Sequence, residues 1–362
     1  MDPVDYFSST MPEADAKFLN ACQLRGAAVQ SFVHPRHGPA GELLQTLVAR
    51  VGARDAPDVL VLISGTHGIE GYCGAGVQTG LLDVLSEFSL PPTLAVVFVH
   101  MINPWGCAWD RRENEDNIDI FRNLLYCDPP YRPNAEYDSL AEAICPVAWS
   151  TGAREAADRR LTAYDAEHGA GAWIGVARRG QHDHPSGLTF HGRDPSWSKR
   201  TCDDIVRHQL TSAKRVLNFD LHTGYGEYGE GVVVCCEPPT SPTARRLSNW
   251  FGADLLYLGA DPIIPAHPGS PYDVVCGNLA ADVTSFALEY GTENVTGIFD
   301  LLREASWVFN YGDPLSAHGR AVRARYRALF YPERDDWKRL VWARGREVFE
   351  HAVAALATPW VR

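Results

Sequence analysis

The chain has 362 residues, with 33 Lys and Arg against 45 Asp and Glu, a formal charge of −12. That balance leaves no basic footprint for nucleic acid or an anionic membrane, while a small ligand remains open because one or two local arginines can still bind an anion. Hydrophobic residues make up 45%, enough for one large α/β domain with a substantial core.

The opening MDPVDYFSST lacks the basic start and apolar run of a secretory signal. No apolar stretch approaches the roughly 18 residues of a membrane span. The 9 cysteines are scattered without a CxxC pair, and the adjacent Cys235 and Cys236 sit in an apolar run like small core residues. A reduced, cytoplasmic protein is the expectation.

In chain order, strand-like runs alternate with helical patterns. The run DVLVLIS (58–64) ends in Gly65-Thr66-His67-Gly68, and LAVVFVHMI (94–102) closes at Asn103-Pro104. The stretch 127–195 is the least regular, rich in Pro, Gly and His, and is expected to be an irregular insertion at the sheet edge or the rim of a site. A helix is expected over 199–214 with Ser198 as its cap, followed by the strand RVLNFDL (215–221) running into His222-Thr223-Gly224. Strands over 231–237, 253–258 and 283–290, a helix over 243–251 after Ser241-Pro242, and a long C-terminal helix over 335–357 complete the pattern. Runs apolar on both faces point to strands buried between helical layers, hence one α/β domain over 1–362 with a central mixed, mostly parallel sheet flanked by helices.

Ligands of open α/β sheets gather at the carboxyl ends of the strands. His67 and Glu70 follow one expected strand, His222 follows another, and Glu289 closes a third. Two histidines and a carboxylate form a catalytic zinc set that leaves a position for water. Residues three apart at the start of a helix share a face, so His67 and Glu70 can reach one ion. Asp220 points to the same face as His222 and can support it from behind.

A lone HxxE is weak; the weight comes from several strand ends each carrying a suitable group beside glycine. The segment GYGEYG (224–229) fits GxGxxG but is followed by GVVVCCE, a strand and not the required helix, so it is expected to be a flexible turn. No GxSxG or HExxH occurs. His182 and His184 are expected in a solvated loop, and Trp105, Trp109 and Trp197 as packing residues.

The motifs GTHGIEGYCGAG (65–76), NPWGCAWDRRENEDNIDIFRN (103–123), HPSGLTFHGRDPSWSKRT (184–201), DLHTGYGEYG (220–229) and FALEYGT (286–292) resemble a branch of the M14-type zinc carboxypeptidases, the DUF2817 group. That group lies near succinylglutamate desuccinylase and aspartoacylase. The resemblance implies one Zn2+ per chain on His67, Glu70 and His222, with Glu289 as general base and then acid. It implies Arg122 as the holder of the substrate carboxylate, with Asn123 beside it, and Arg111 or Arg112 as the residue polarising the scissile carbonyl, with Arg112 preferred. It departs from the family pattern at Phe121, where Asn precedes the carboxylate-binding arginine; Phe offers no hydrogen bond there. Read from composition alone, Arg111 and Arg112 fall in a charged run that would be a solvated face.

The implied activity is hydrolysis of an amide bond near a carboxylate, in a carboxypeptidase-like manner. Removal of an acyl group from an N-acyl amino acid uses the same metal set and is the second expectation. A catalytically silent binding protein of the same fold is the third. The oligomeric state is left open, a homo-oligomer included.

Overall fold

The strands that carry the fold are those whose side chains alternate between two apolar faces. In the computed structural model, which describes residues 2–125, 133–252, 255–258, 276–277, 279–292 and 297–360, every residue of Asp58–Ser64 (β3) and Leu94–His100 (β4) is buried. Leu60 and Leu62 enter one core while Val59, Val61 and Ile63 enter the other. That period of two is the pleat of a strand with helices on both sides. Each such side chain contributes about 1.5–3 kcal/mol by leaving water.

Eight strands form one sheet: Ala28–His37 (β1), Leu43–Val51 (β2), β3, β4, Arg215–Tyr228 (β5), Gly231–Cys235 (β6), Leu256–Tyr257 (β7) and Asp282–Gly291 (β8). Their spatial order is β1-β2-β4-β3-β5-β8-β6-β7. The central run β4, β3, β5, β8 is parallel, and antiparallel pairs flank it. The sheet is therefore mixed and mostly parallel, in a single α/β domain. The strand that follows β3 lies on one side of it and β5 on the other, so the chain order switches there and a crevice opens at the carboxyl ends of β3 and β5.

The helices Met11–Leu24 (α1), Gly71–Val84 (α2) and the C-terminal Asp335–Ala357 cover the face that holds Leu60, Phe98 and Phe219. Trp197–Gln209 covers the other face through Ile205 and Val206. No helix among the described residues is long and apolar enough to cross a membrane.

Several expected elements differ in instructive ways. The 94–102 strand stops at His100, because Met101 takes a left-handed φ of 57°. The expected cap Ser198 lies inside its helix; Ser196 is the cap, its Oγ accepting from Lys199 N at 3.1 Å, and the helix ends at Gln209. The GYGEYG segment is no loose turn but the continuation of β5, which shifts register between Thr223 and Tyr228 while Gly224 and Gly226 take positive φ. Of the 253–258 strand, Leu256–Tyr257 is observed, and 253–254 lie outside the described residues.

The 127–195 stretch is more ordered than expected. Residues 127–132 lie outside the described residues, but Ala135–Ile144, Thr151–His168 and Ala172–Arg179 are helices. They build a small core around Tyr137, Leu140, Leu161 and Val176 that also takes in Phe299 of the helix Ile298–Asn310. Trp105 and Trp109 stack on each other at 5.5 Å, and Trp197 packs edge-on to His34, in keeping with packing roles.

Candidate metal centre

The turn after β3 places His67 and Glu70. Gly65, at φ +75°, lets the chain leave the sheet, and a short 3-10 turn over Gly68–Glu70 runs directly into α2. The turn is clamped from outside: Gly68 N donates to Arg112 O at 3.0 Å and Ile69 N to Arg111 O at 2.9 Å. At Gly68 a Cβ would stand 2.2 Å from the Gly106 carbonyl carbon. Only glycine permits that approach, and it brings the Arg111-Arg112 segment against the HxxE turn.

β5 delivers the third group. Ile63 pairs with Asp220 and Ser64 with Leu221, so His222 projects just beyond the end of β3. On its other side His222 is the register partner of Glu289 in β8. Three neighbouring strand ends therefore supply four side chains to one crevice.

Their atoms converge. His67 Nδ1 lies 3.0 Å from Glu70 Oε1, His222 Nδ1 lies 2.9 Å from Glu70 Oε2, and the two Nδ1 atoms are 3.2 Å apart. One ligand atom from each of the three residues falls within 4.8 Å of the others, and all three side chains are buried. Among the described residues this is the one group of histidine, cysteine or acidic side chains so arranged. His182 and His184 diverge: His182 Nδ1 lies 2.9 Å from Gly192 O and His184 Nε2 lies 2.9 Å from Asp138.

The donor set fits a divalent cation. Asp220 Oδ2 lies 2.6 Å from His222 Nε2, which fixes the proton there and leaves the Nδ1 lone pair facing Glu70 and His67. Asp220 is itself held by Thr66, whose hydroxyl donates to Oδ1 at 3.0 Å. Two imidazole nitrogens and a carboxylate turned toward one point repel unless a proton or a cation lies between them, and neutral nitrogen with carboxylate oxygen suits zinc. His67 Nε2 has two neighbours, Arg112 Nη2 at 2.6 Å and Asp119 Oδ1 at 3.5 Å. With a cation on Nδ1, that nitrogen is a donor and can serve only Asp119.

The electrostatics separate the carboxylates. Burial opposes ionisation of Glu70, but the two imidazoles outweigh it and hold its carboxyl well below the usual range. Glu289 goes the other way: burial, reinforced by Glu70 and Asp220, pushes it up to about 7 against the pull of His222 and His67. Its Oε2 is buried without a hydrogen-bond partner among the described residues. Asp119 is fully buried, yet Arg112 and Arg122 hold it well below the usual range.

A cavity of about 200 Å³ opens over this floor. His67, Glu70, His222, Glu289, Arg112, Arg122 and Phe121 all line it. Arg112 Nη1 and Arg122 Nη1 both reach Asp119 Oδ2 at 2.6 Å. The charged run is thus no solvated face. Arg111 and Arg112 part company: Arg111 turns away into a buried contact with Glu113 and Asn117 under Phe309, and does not line the cavity. Asn123 also stands off the cavity. It is fully buried, donating to His191 O at 2.7 Å and accepting from Ser196 N at 2.9 Å, and so fastens the 191–196 segment. Phe121 packs 6.1 Å from His67 and 5.7 Å from His222, ring to ring, giving the site an apolar wall.

Two groups of the site, Asp119 beneath the arginines and Arg178 on the cavity wall, had no separate signal in the sequence. Asp119 was concealed in the charged run, although a residue N-capping the short helix Ile120–Asn123 has a readable position. Arg178 comes from the 127–195 stretch, where no motif points to it. Tyr225 also lines the cavity, whereas Glu227 is exposed and does not.

A family model described as "Protein of unknown function (DUF2817)" matches residues 7–344. No curated protein matches the chain. Carboxypeptidase A from Helicoverpa armigera is similar at 14% identity and TM-score 0.44, over 88% of this chain and 73% of its own. A putative succinylglutamate desuccinylase/aspartoacylase family protein from Shewanella amazonensis is similar at 17% identity and TM-score 0.36, over 84% and 73%. A metallo-carboxypeptidase from Burkholderia cenocepacia follows at 12% and 0.43, over 95% and 71%. At such values the chemistry rests on the residues themselves.

Proposed function

The chain belongs to the family described as protein of unknown function DUF2817, and on that premise we propose that it is a zinc-dependent hydrolase cleaving an amide bond beside a carboxylate. The observation that carries the reading is the convergence of His67, Glu70 and His222 on one point, with Glu289 as the register partner of His222.

A zinc ion held by those three residues supplies Lewis acidity, acidifying water and polarising a carbonyl. The rest belongs to the chain. Glu289, which lines the cavity and has one carboxylate oxygen without a partner among the described residues, takes the proton of the attacking water and passes it to the leaving nitrogen. Arg112 lines the cavity next to His67 and faces the negative charge that develops on the carbonyl oxygen. Arg122 holds the substrate carboxylate, its guanidinium oriented by Asp119 and by Arg178 O at 2.9 Å. Asp119 is the brace that ties both arginines to the metal-binding imidazole.

Two substrate classes share this machinery: a peptide with a free C-terminal carboxylate and a small N-acyl amino acid. Turnover of peptides and of N-acyl amino acids by the zinc-loaded protein tests the assignment. Hydrolysis of either class, abolished in Glu289→Gln, agrees with it; no turnover of either class contradicts it and favours a binding protein.

A further inference from the structure

We propose that Arg178 is a substrate-binding residue that clasps the same carboxylate as Arg122, supplying the second set of donors that Phe121 does not. The inference rests on the hydrolase reading and refines its substrate contact.

The starting point is a shortage of acceptors. The guanidiniums of Arg111, Arg112 and Arg122 share the carboxylates of Glu113 and Asp119. Among the described residues these pairings leave one positive charge for an anion to balance. Arg122 lines the cavity and is 9% exposed, and its buried Nε has no hydrogen-bond partner among the described residues. A buried guanidinium nitrogen without an acceptor marks the place of one.

Phe121 cannot help to hold that acceptor, since a phenyl ring offers no donor. Arg178 can. It ends the helix Ala172–Arg179, lines the same cavity, and lays its guanidinium over the Phe299 ring at 5.2 Å. An aromatic face fixes the plane of an arginine and so lowers the entropic cost of a forked contact. The backbone of Arg178 is already joined to Arg122, whose Nη2 donates to its carbonyl. The two residues therefore stand together at the wall formed by the 133–195 segment, and an acid group seated there meets both. The segment thus helps to choose the substrate, and the choice is for an acid over its neutral amide.

Calorimetric titration of the zinc-loaded protein with 3-phenylpropionate and with the uncharged 3-phenylpropionamide tests this. Wild type is expected to prefer the acid by about tenfold or more, the size of a charge-assisted pair. Arg178→Gln should lose most of that preference with its zinc content and thermal melt unchanged, and Arg178→Lys, which keeps the charge but not the fork, should recover part of it. Wild-type preference retained in Arg178→Gln but lost in Arg122→Gln overturns the role of Arg178 alone. Preference untouched by either variant overturns the carboxylate assignment of Arg122 as well.

Discussion

Asp220 Oδ2 lies 2.6 Å from His222 Nε2, with both side chains buried and two residues apart on the same face of β5. The contact decides which imidazole nitrogen carries the proton and turns the other toward Glu70. Asp220→Asn keeps the shape but lets the amide donate as well as accept, so the imidazole loses its fixed orientation. Zinc affinity is expected to fall about 10- to 100-fold, read by competition with a chromophoric chelator. Unchanged affinity would show that His222 needs no such support.

Glu289 separates metal binding from chemistry. It faces the same crevice as His222 but is not one of the three converging groups. Glu289→Gln should retain zinc and lose about 10²- to 10⁴-fold in kcat. Parallel loss of metal would make Glu289 a ligand, and full activity would remove it from the reaction.

The pH profile follows from the same residue. Burial raises Glu289 from the ordinary carboxylate value to about 7, and a nearby cation pulls it back down. The working base is the ionised form. The logarithm of kcat/KM should therefore rise with pH and level off at a pKa between the ordinary carboxylate value and about 7. The limb should vanish in Glu289→Gln; an acid limb that persists in that variant assigns it to another group.

Gly68→Ala tests the turn. A methyl group there meets the backbone of Gly106 and Arg111 and not a yielding side chain. The turn must move, at a cost of about 1–3 kcal/mol or more. The thermal melt should drop and zinc binding should weaken, since His67 and Glu70 flank the displaced residue. A variant with native stability and native zinc affinity would show that the close packing of Gly68 against 106–111 is dispensable.

The core strands were legible because burial on both faces writes continuous apolar runs, as in Asp58–Ser64, whose bounds agree with the expectation. The strand Ala28–His37 was not: at the sheet edge β1 exposes most of its residues, including Val33, and writes no such run. The helices inside 127–195 were obscured because Thr151–His168 is mostly solvent-facing, with Ala157 and Leu161 its buried residues. The convergence of His67, Glu70 and His222, with Glu289 beside them, was legible from the ends of the strands, since each follows or closes an apolar run. Which of Arg111 and Arg112 lines the cavity was not, because neighbours on an irregular segment point apart only once its backbone is fixed. That fixing comes from the bonds to Gly68 and Ile69. Arg178 lies over a hundred residues from its partner Phe299, a contact that no local pattern records.

The most direct measurement is the zinc content of the purified chain beside that of His67→Ala and His222→Ala. A hydrolase built on this centre should hold about one zinc ion per folded chain and lose it in both variants, with the melt of each variant still cooperative. A wild-type protein that stays metal-free when zinc is supplied, or variants that keep the ion, would contradict the account.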